Sequence, residues 1–302
     1  MMRLRVRARL DRRILVNYRV DPEVMAAVLP APFRPVIIDG HAIAGICLIR
    51  LGQIRPAGLP APAGFMTENA AHRFAVRWDT PDGPATGVFV PRRDTDSRLT
   101  ALAGGRLFPG WHRRARFAVA EAAGQFRLEM TSLDDGARIL VAAHLADQVP
   151  HESVFADVGT ASRFFGCAPV GYSARPDNAA FDGVELDCHG WNLRPLAVDY
   201  AASSYFDDVS RFPPGSIALD SAFLMRDLDT TWTALPPLPA RFPDLAGLAH
   251  AREADLVPGE ESRDDRETPL RGGRPLRCGG WWMTGCWTRC RSARGTRPGG
   301  CG

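Results

Sequence analysis

No lysine occurs anywhere in the 302 residues; all 37 basic side chains are arginine. Arginine stays protonated and does not condense with a ketone or aldehyde, so covalent catalysis through a lysine imine is excluded. Long apolar runs are missing too. The longest, Ile43 to Ile49, falls far short of the roughly 20 residues needed to cross a bilayer. The start, Arg3-Leu4-Arg5-Val6-Arg7-Ala8-Arg9-Leu10, alternates charge with apolar residues. It therefore lacks the unbroken apolar stretch of a secretion signal. A cytoplasmic protein is expected, with no membrane partner. The formal net charge of +3 gives no reason to expect nucleic acid as a partner. A serine-nucleophile elbow and a phosphate-binding glycine loop are both absent, and Gly104-Gly105 reads as a helix end. Cys47, Cys167 and Cys188 show neither zinc nor redox spacing and read as free or buried thiols. No cofactor and no metal are expected.

The chain has instead many short strand signals. Arg3 to Leu10 alternates with period two, and Ile14–Val20 reads as a second strand. Asp21-Pro22-Glu23 opens a short helix with Asp as N-cap and Pro in its first turn. Val24, Ala27 and Val28 fall on its apolar face, and Pro30 stops it. Strands follow at Val36–Ile49 and Arg73–Trp78. The cluster from Asp79 to Pro84 turns the chain into a hairpin partner, Thr86–Val90. A helix is expected over Ser97–Ala103. Three antiparallel strands come next, at Ala115–Glu121, Gln125–Ser132 and Ala137–Leu145, with turns at Gly124 and at Asp134-Asp135-Gly136. Residues 152–165 look helical, and further strands reach about Met225. Many strands with few helices point to an α+β protein built on an antiparallel β-barrel.

Pro236-Pro237-Leu238-Pro239 marks a boundary, giving a barrel domain over residues 1–240 and a C-terminal tail over 241–302. The tail is rich in Arg, Gly, Glu and Asp without apolar period and is expected to be disordered. Cys278, Cys286, Cys290 and Cys301 fit no standard zinc spacing, and no histidine joins them.

Two stretches carry a resemblance. One runs from Ile14-Leu15-Val16-Asn17-Tyr18-Arg19-Val20-Asp21-Pro22 to Leu29-Pro30-Ala31-Pro32-Phe33-Arg34-Pro35. The other runs from Thr67-Glu68-Asn69 through Gly87-Val88-Phe89-Val90 to Ala103-Gly104-Gly105-Arg106-Leu107-Phe108-Pro109-Gly110-Trp111-His112-Arg113-Arg114. Residues 10–235 resemble the bacterial YqjF-like family, a group without assigned function, which is similar in fold to acetoacetate decarboxylase. The resemblance implies a pocket inside the barrel. It aligns Arg113-Arg114 with the decarboxylase's lysine pair and Thr67-Glu68 with a pocket Thr-Glu. A second pocket glutamate would fall at Ile46-Cys47-Leu48, where this chain has no carboxylate. The site is thereby implied while the reaction is not.

Glu68 reads either as a general base or ligand anchor, or as the partner of an arginine at the barrel mouth. Alternation sends His112 and Arg114 to one strand face and Arg113 to the other. An inward arginine would clamp a carboxylate, and an outward one would form a solvated edge. His72, Arg73, His112 and Arg106 complete the expected ligand contacts. Pro91 to Arg98 reads as a solvated loop, with Ser97 or Asp96 as the helix cap, in preference to a charged pocket rim. Glu185, Asp187 and His189 share a strand face and read as its wet side in preference to a metal site. The function expected is the binding of a small organic acid, without imine chemistry. A lysine-independent lyase or hydrolase with Glu68 as base is the alternative, and a homo-oligomer is left open.

Overall fold

A computed structural model describes residues 4–166, 169–176 and 179–240. The expected tail and its four cysteines, and Cys167, lie outside the described residues.

The chain opens with β1 (Arg5–Val20), a single 16-residue strand where two were expected. Asp21 then caps α1 (Pro22–Val28), its carboxylate accepting from the amides of Glu23 and Val24 at 2.8 and 3.1 Å. Two short pieces, β2 (Arg34–Pro35) and β3 (Ile37–Ile38), lead into β4 (His41–Pro56). The expected strand from Val36 is broken at Asp39 and Gly40, whose φ angles of 46° and 77° make the tight turn into β4. Next come β5 (Phe65–Thr80) and β6 (Gly83–Thr95), joined by the expected hairpin. Residues 91–95 of the expected loop belong to β6. Ser97 caps α2 (Arg98–Ala103), accepting from the amide of Thr100.

The antiparallel trio is present as β7 (Arg113–Ala122), β8 (Gln125–Ser132) and β9 (Arg138–Leu145). The helix expected from residue 152 begins later, as α3 (Val158–Gly166), because Asp157 accepts the amide of Thr160 at 2.6 Å and sets its start. The domain is completed by β10 (Val170–Ala174), β11 (Ala180–Cys188), β12 (Arg194–Ser203) and the 23-residue β13 (Ile217–Pro239). No helix among the described residues is long and apolar enough to cross a membrane.

The thirteen strands of the described residues form one sheet that closes on itself. Five strands, β13-β1-β4-β5-β6, are common to two closed circuits. One returns through β10 and β11, the other through β7, β8, β9 and β12. The sheet is not purely antiparallel, since β6 meets both β10 and β7 in parallel. The β6–β7 joint has only two residue pairs, Asp94 with Arg113 and Thr95 with Arg114.

Strand alternation sorts the side chains. Ile14, Val16 and Tyr18 of β1, Ala44, Ile46 and Leu48 of β4 and Phe74, Val76 and Trp78 of β5 belong to the inner core, with Leu128 and Val141 from the far side. The intervening residues Leu15, Cys47, Phe223 and Met225 form a second core with Phe155 and α3. Burial on both faces accounts for the apolar run Ile43 to Ile49 within β4.

Candidate functional site

Glu68 faces the inside of the sheet, where two carboxylates and three guanidinium groups meet. Arg12, from β1, is fully buried and donates to Glu68 at 2.6 Å and to Glu121 of β7. Arg50 of β4 reaches the other Glu68 oxygen at 2.6 Å, and Arg226 of β13 closes the cluster on Glu121. Both oxygens of Glu68 are thus engaged. Burial alone would raise the Glu121 carboxyl, but Arg12, Arg226 and Arg50 outweigh it and hold it below the usual carboxylate range. The Nε–H of Arg12 has no hydrogen-bond partner among the described residues.

Arg113 lies elsewhere. It lines a cleft of about 550 Å³ between the end of α1 and β6, at the β6–β7 joint, with Ala27, Val28, Pro91, Arg92, Asp135, Tyr205, Ser210 and Arg211. Arg92 grips Asp94 through two bonds of 2.7 and 2.8 Å and Asp135 through two of 2.7 and 2.9 Å. Arg113 adds a 3.0 Å bond to Asp135. The hydrogen bond from Arg92 is the largest influence holding the Asp135 carboxyl well below its ordinary value. Arg211 lies over the Tyr205 ring at 4.7 Å, with Asp208 at 3.6 Å, too far for a hydrogen bond. Most guanidinium N–H groups of Arg113 and Arg211 therefore have no acceptor among the described residues, in a cleft whose lining includes one carboxylate, Asp135. Asp94 and Asp208 balance charge from behind this lining.

His72 sits behind the cleft. Its Nε2 shares a 2.7 Å hydrogen bond with the Ser203 hydroxyl, its ring packs on Tyr205 and Phe206, and its Nδ1 has no partner among the described residues. Burial first, then the charges of Arg92 and Arg211, push its pKa down to about 3. His72 is therefore neutral at physiological pH.

The other expected contacts scatter. Arg73 is buried on the outer side of β5 against Cys47 and Asn17. His112 bonds its own turn through the Gly110 carbonyl at 3.0 Å. Arg106 bonds the Leu102 carbonyl at 3.0 Å and lies over Trp111. The backbone N–H of Arg114 donates to Asp134 at 3.2 Å, while its Nε is buried without a partner among the described residues. Asp187 and His189 are largely exposed, 3.8 Å apart. The sequence reading missed Arg12, Arg50 and Arg211, and it placed Arg92 in a solvated loop in preference to the pocket rim that it forms. The one signal for Arg12 was a charge in the middle of a strand-forming stretch.

Residues 7–207 match DUF2071, described as "Uncharacterized conserved protein (COG2071)". The chain belongs to this family. No curated protein matches it. Among solved structures, it is similar to acetoacetate decarboxylase from Legionella pneumophila subsp. pneumophila str. Philadelphia 1 at 12% identity and a TM-score of 0.50, covering 77% of this chain and 86% of that one. The enduracididine biosynthesis enzyme MppR, complexed with the condensation product of pyruvate and imidazole 4-carboxaldehyde, matches at 14% identity and a TM-score of 0.50, covering 79% and 89%. An acetoacetate decarboxylase-like enzyme from Sphingomonas wittichii RW1 matches at 13% and 0.48, covering 78% and 92%. At these identities the likeness shows the fold, which is that of acetoacetate decarboxylase-like enzymes.

Proposed function

We propose that this DUF2071 protein binds a small organic anion, and that the cleft of Arg92, Arg113 and Arg211 receives it. The observation carrying this reading is the set of guanidinium N–H groups on Arg113 and Arg211 that line a 550 Å³ cleft without an acceptor among the described residues. A carboxylate there would take two parallel N–H···O bonds from one arginine. Tyr205 supplies a hydroxyl for a second polar group, the Ser210 hydroxyl, which donates to Asp208 at 2.6 Å, can accept from one, and Ala27, Val28 and Pro91 offer apolar contact. One structural neighbour is described with a pyruvate condensation product bound, which makes small keto acids the first probes.

Binding without an imine follows from the missing lysine. A keto acid with borohydride is expected to leave no adduct on any side chain. A lyase or hydrolase using Glu68 as base is less well supported, because Arg12 and Arg50 hold both its oxygens.

Calorimetric titration with pyruvate and acetoacetate tests the proposal. A charge-assisted bidentate pair contributes about 1.5–3 kcal/mol. Arg113→Ala or Arg211→Ala should therefore weaken binding by roughly ten- to a hundredfold while the thermal melt holds. Keto-acid binding that ignores both variants, or no measurable binding of any small carboxylate, overturns the reading.

A further inference from the structure

The outer side of the sheet beneath α3 carries a second polar constellation, one the cleft does not use. Arg73 is 3% exposed. Its hydrogen-bond partners are Cys47 Sγ, 3.2 Å from Nε, and Asn17 Oδ1. Arg13 approaches the same sulfur from β1, its terminal nitrogen 3.8 Å away, and its Nε is buried without a partner among the described residues. Arg93 of β6 bonds the Ser173 hydroxyl and adds its charge on a third side. None of the ion pairs among the described residues includes Arg13, Arg73 or Arg93. Phe165 of α3 covers the Arg73 guanidinium at 4.8 Å.

The backbone is shaped for this seat. Gly45 stands opposite Arg73 in the β4–β5 register, and a Cβ there would come within 3.0 Å of the Arg73 guanidinium and 2.8 Å of the Val16 carbonyl. A larger residue would expel the arginine. A buried guanidinium needs a counter-ion, since an isolated charge in an apolar interior is far too costly. Cys47 is the one ionisable acid touching Arg73 or Arg13 among the described residues. Burial would raise the Cys47 thiol, but Arg73 and Arg13 outweigh burial and bring it below its ordinary value. Cys188, which also faces Arg13 but with Asp187 alongside, moves the opposite way, raised by burial.

We propose that Cys47, seated between the guanidinium groups of Arg73 and Arg13, is a site of oxidation by small hydroperoxides. The thiolate sulfur attacks one peroxide oxygen. An S–O bond forms as the O–O bond breaks, and sulfur gives up two electrons. The leaving hydroxide or alkoxide takes a proton from water, leaving a sulfenic acid. The terminal nitrogen of Arg13, 3.8 Å from the sulfur, is the donor within reach of that new oxygen. Burial of Cys47, 3% exposed, limits the oxidant to one of hydrogen peroxide's size.

The test treats the full chain with hydrogen peroxide between about pH 6 and about pH 8, since reactivity follows the thiolate fraction. The peroxide is then removed, the protein unfolded in dimedone, and oxidised forms located by peptide mass, with Cys47→Ser as the assignment control. Cys47 is expected to oxidise with a shallower rise in rate across this range than Cys188, because burial raises the Cys188 thiol while the Arg73 and Arg13 guanidinium groups outweigh burial and lower that of Cys47. Arg13→Gln should restore a steep pH dependence at Cys47 with an unchanged melt. A Cys47 rate that rises in parallel with that of Cys188 overturns the proposal. Oxidation of Cys47 only in the unfolded chain, or an Arg13→Gln profile identical to the parent, does the same.

Discussion

Arg12 shows how one buried charge is made tolerable. A guanidinium removed from water needs carboxylates in good geometry, and Glu68 and Glu121 supply them. Replacing Arg12 with Met would leave two partly buried carboxylates that retain only Arg50 and Arg226. The expected loss is about 3 kcal/mol, the lower end for breaking a buried pair, because those arginines remain. Urea unfolding measures it, and adding Glu68→Gln should recover part of the loss. The cluster also explains why the sequence broke β1 in two. A charge triplet, Asp11-Arg12-Arg13, resembles a turn when its partners are unknown. Those partners lie 56 and 109 residues away, at positions fixed by strand register rather than by local pattern. His72 gives a second residue-scale prediction. Its folded pKa of about 3 lies below the unfolded 6.5, so the unfolded chain binds the proton more readily between those values. The stability of the neutral imidazole is full above pH 6.5 and falls as the pH drops towards 3. His72→Asn should lower stability at neutral pH yet show a shallower decline across that window in urea melts followed by fluorescence.

At the scale of elements, the hairpins and helix caps were readable because their signals are local. Asp21 caps α1 from the position its chemistry indicated, and of the two cap candidates for α2, Asp96 and Ser97, it is Ser97 that caps. The long strands were not readable in full, since their ends are set by partners. Thus β5 begins at Phe65, although its apolar pattern is clear only from Arg73. Glu68 could be singled out from its motif, but its neighbours Arg50 and Arg12 could not. The turn between β7 and β8 is the place to test local control. Ala123 and Gly124 both lie in the left-handed region, at φ of 48° and 80°. Alanine there costs roughly 1–2 kcal/mol, so Ala123→Gly should stabilise the protein by up to about 1 kcal/mol after the entropy glycine adds to the unfolded chain. Gly124→Ala should do the opposite, since its Cβ would also lie 2.9 Å from the Leu145 side chain. Thermal melts of the pair decide the point. Equal effects of the same sign would show that the turn is not what limits the hairpin.

At the scale of the whole sheet, the second circuit depends on a two-pair parallel joint between β6 and β7. Arg92, Asp94, Arg113 and Asp135 knit that joint together and also build the cleft. Asp135→Ala should raise amide hydrogen exchange at Asp94, Thr95, Arg113 and Arg114 while leaving the β1–β4 amides protected. Exchange that rises evenly everywhere would show that the joint is not an independent weak point. Ring closure was legible from the sequence as a tendency. The sharing of five strands by two circuits was not, because it depends on β13 reaching three neighbours along its 23 residues.

The pairing of β1 with β13 also orders events during synthesis. Arg5 lies opposite Thr233 and Val20 opposite Ile217, so β1, made early, waits for β13 before that side is covered. Until then the nascent chain carries an open β1 edge bearing Ile14, Leu15 and Val16, a surface on which other chains can add. Contacts so distant in sequence also slow closure after release. A ribosome-held chain stopped before Ile217 should stay sensitive to protease however long it waits, and one extended beyond Pro239 and clear of the exit tunnel should become resistant. Crowded polysomes bring unfinished β1 edges together, so weakening translation initiation, which spaces the ribosomes, should improve the yield of folded protein.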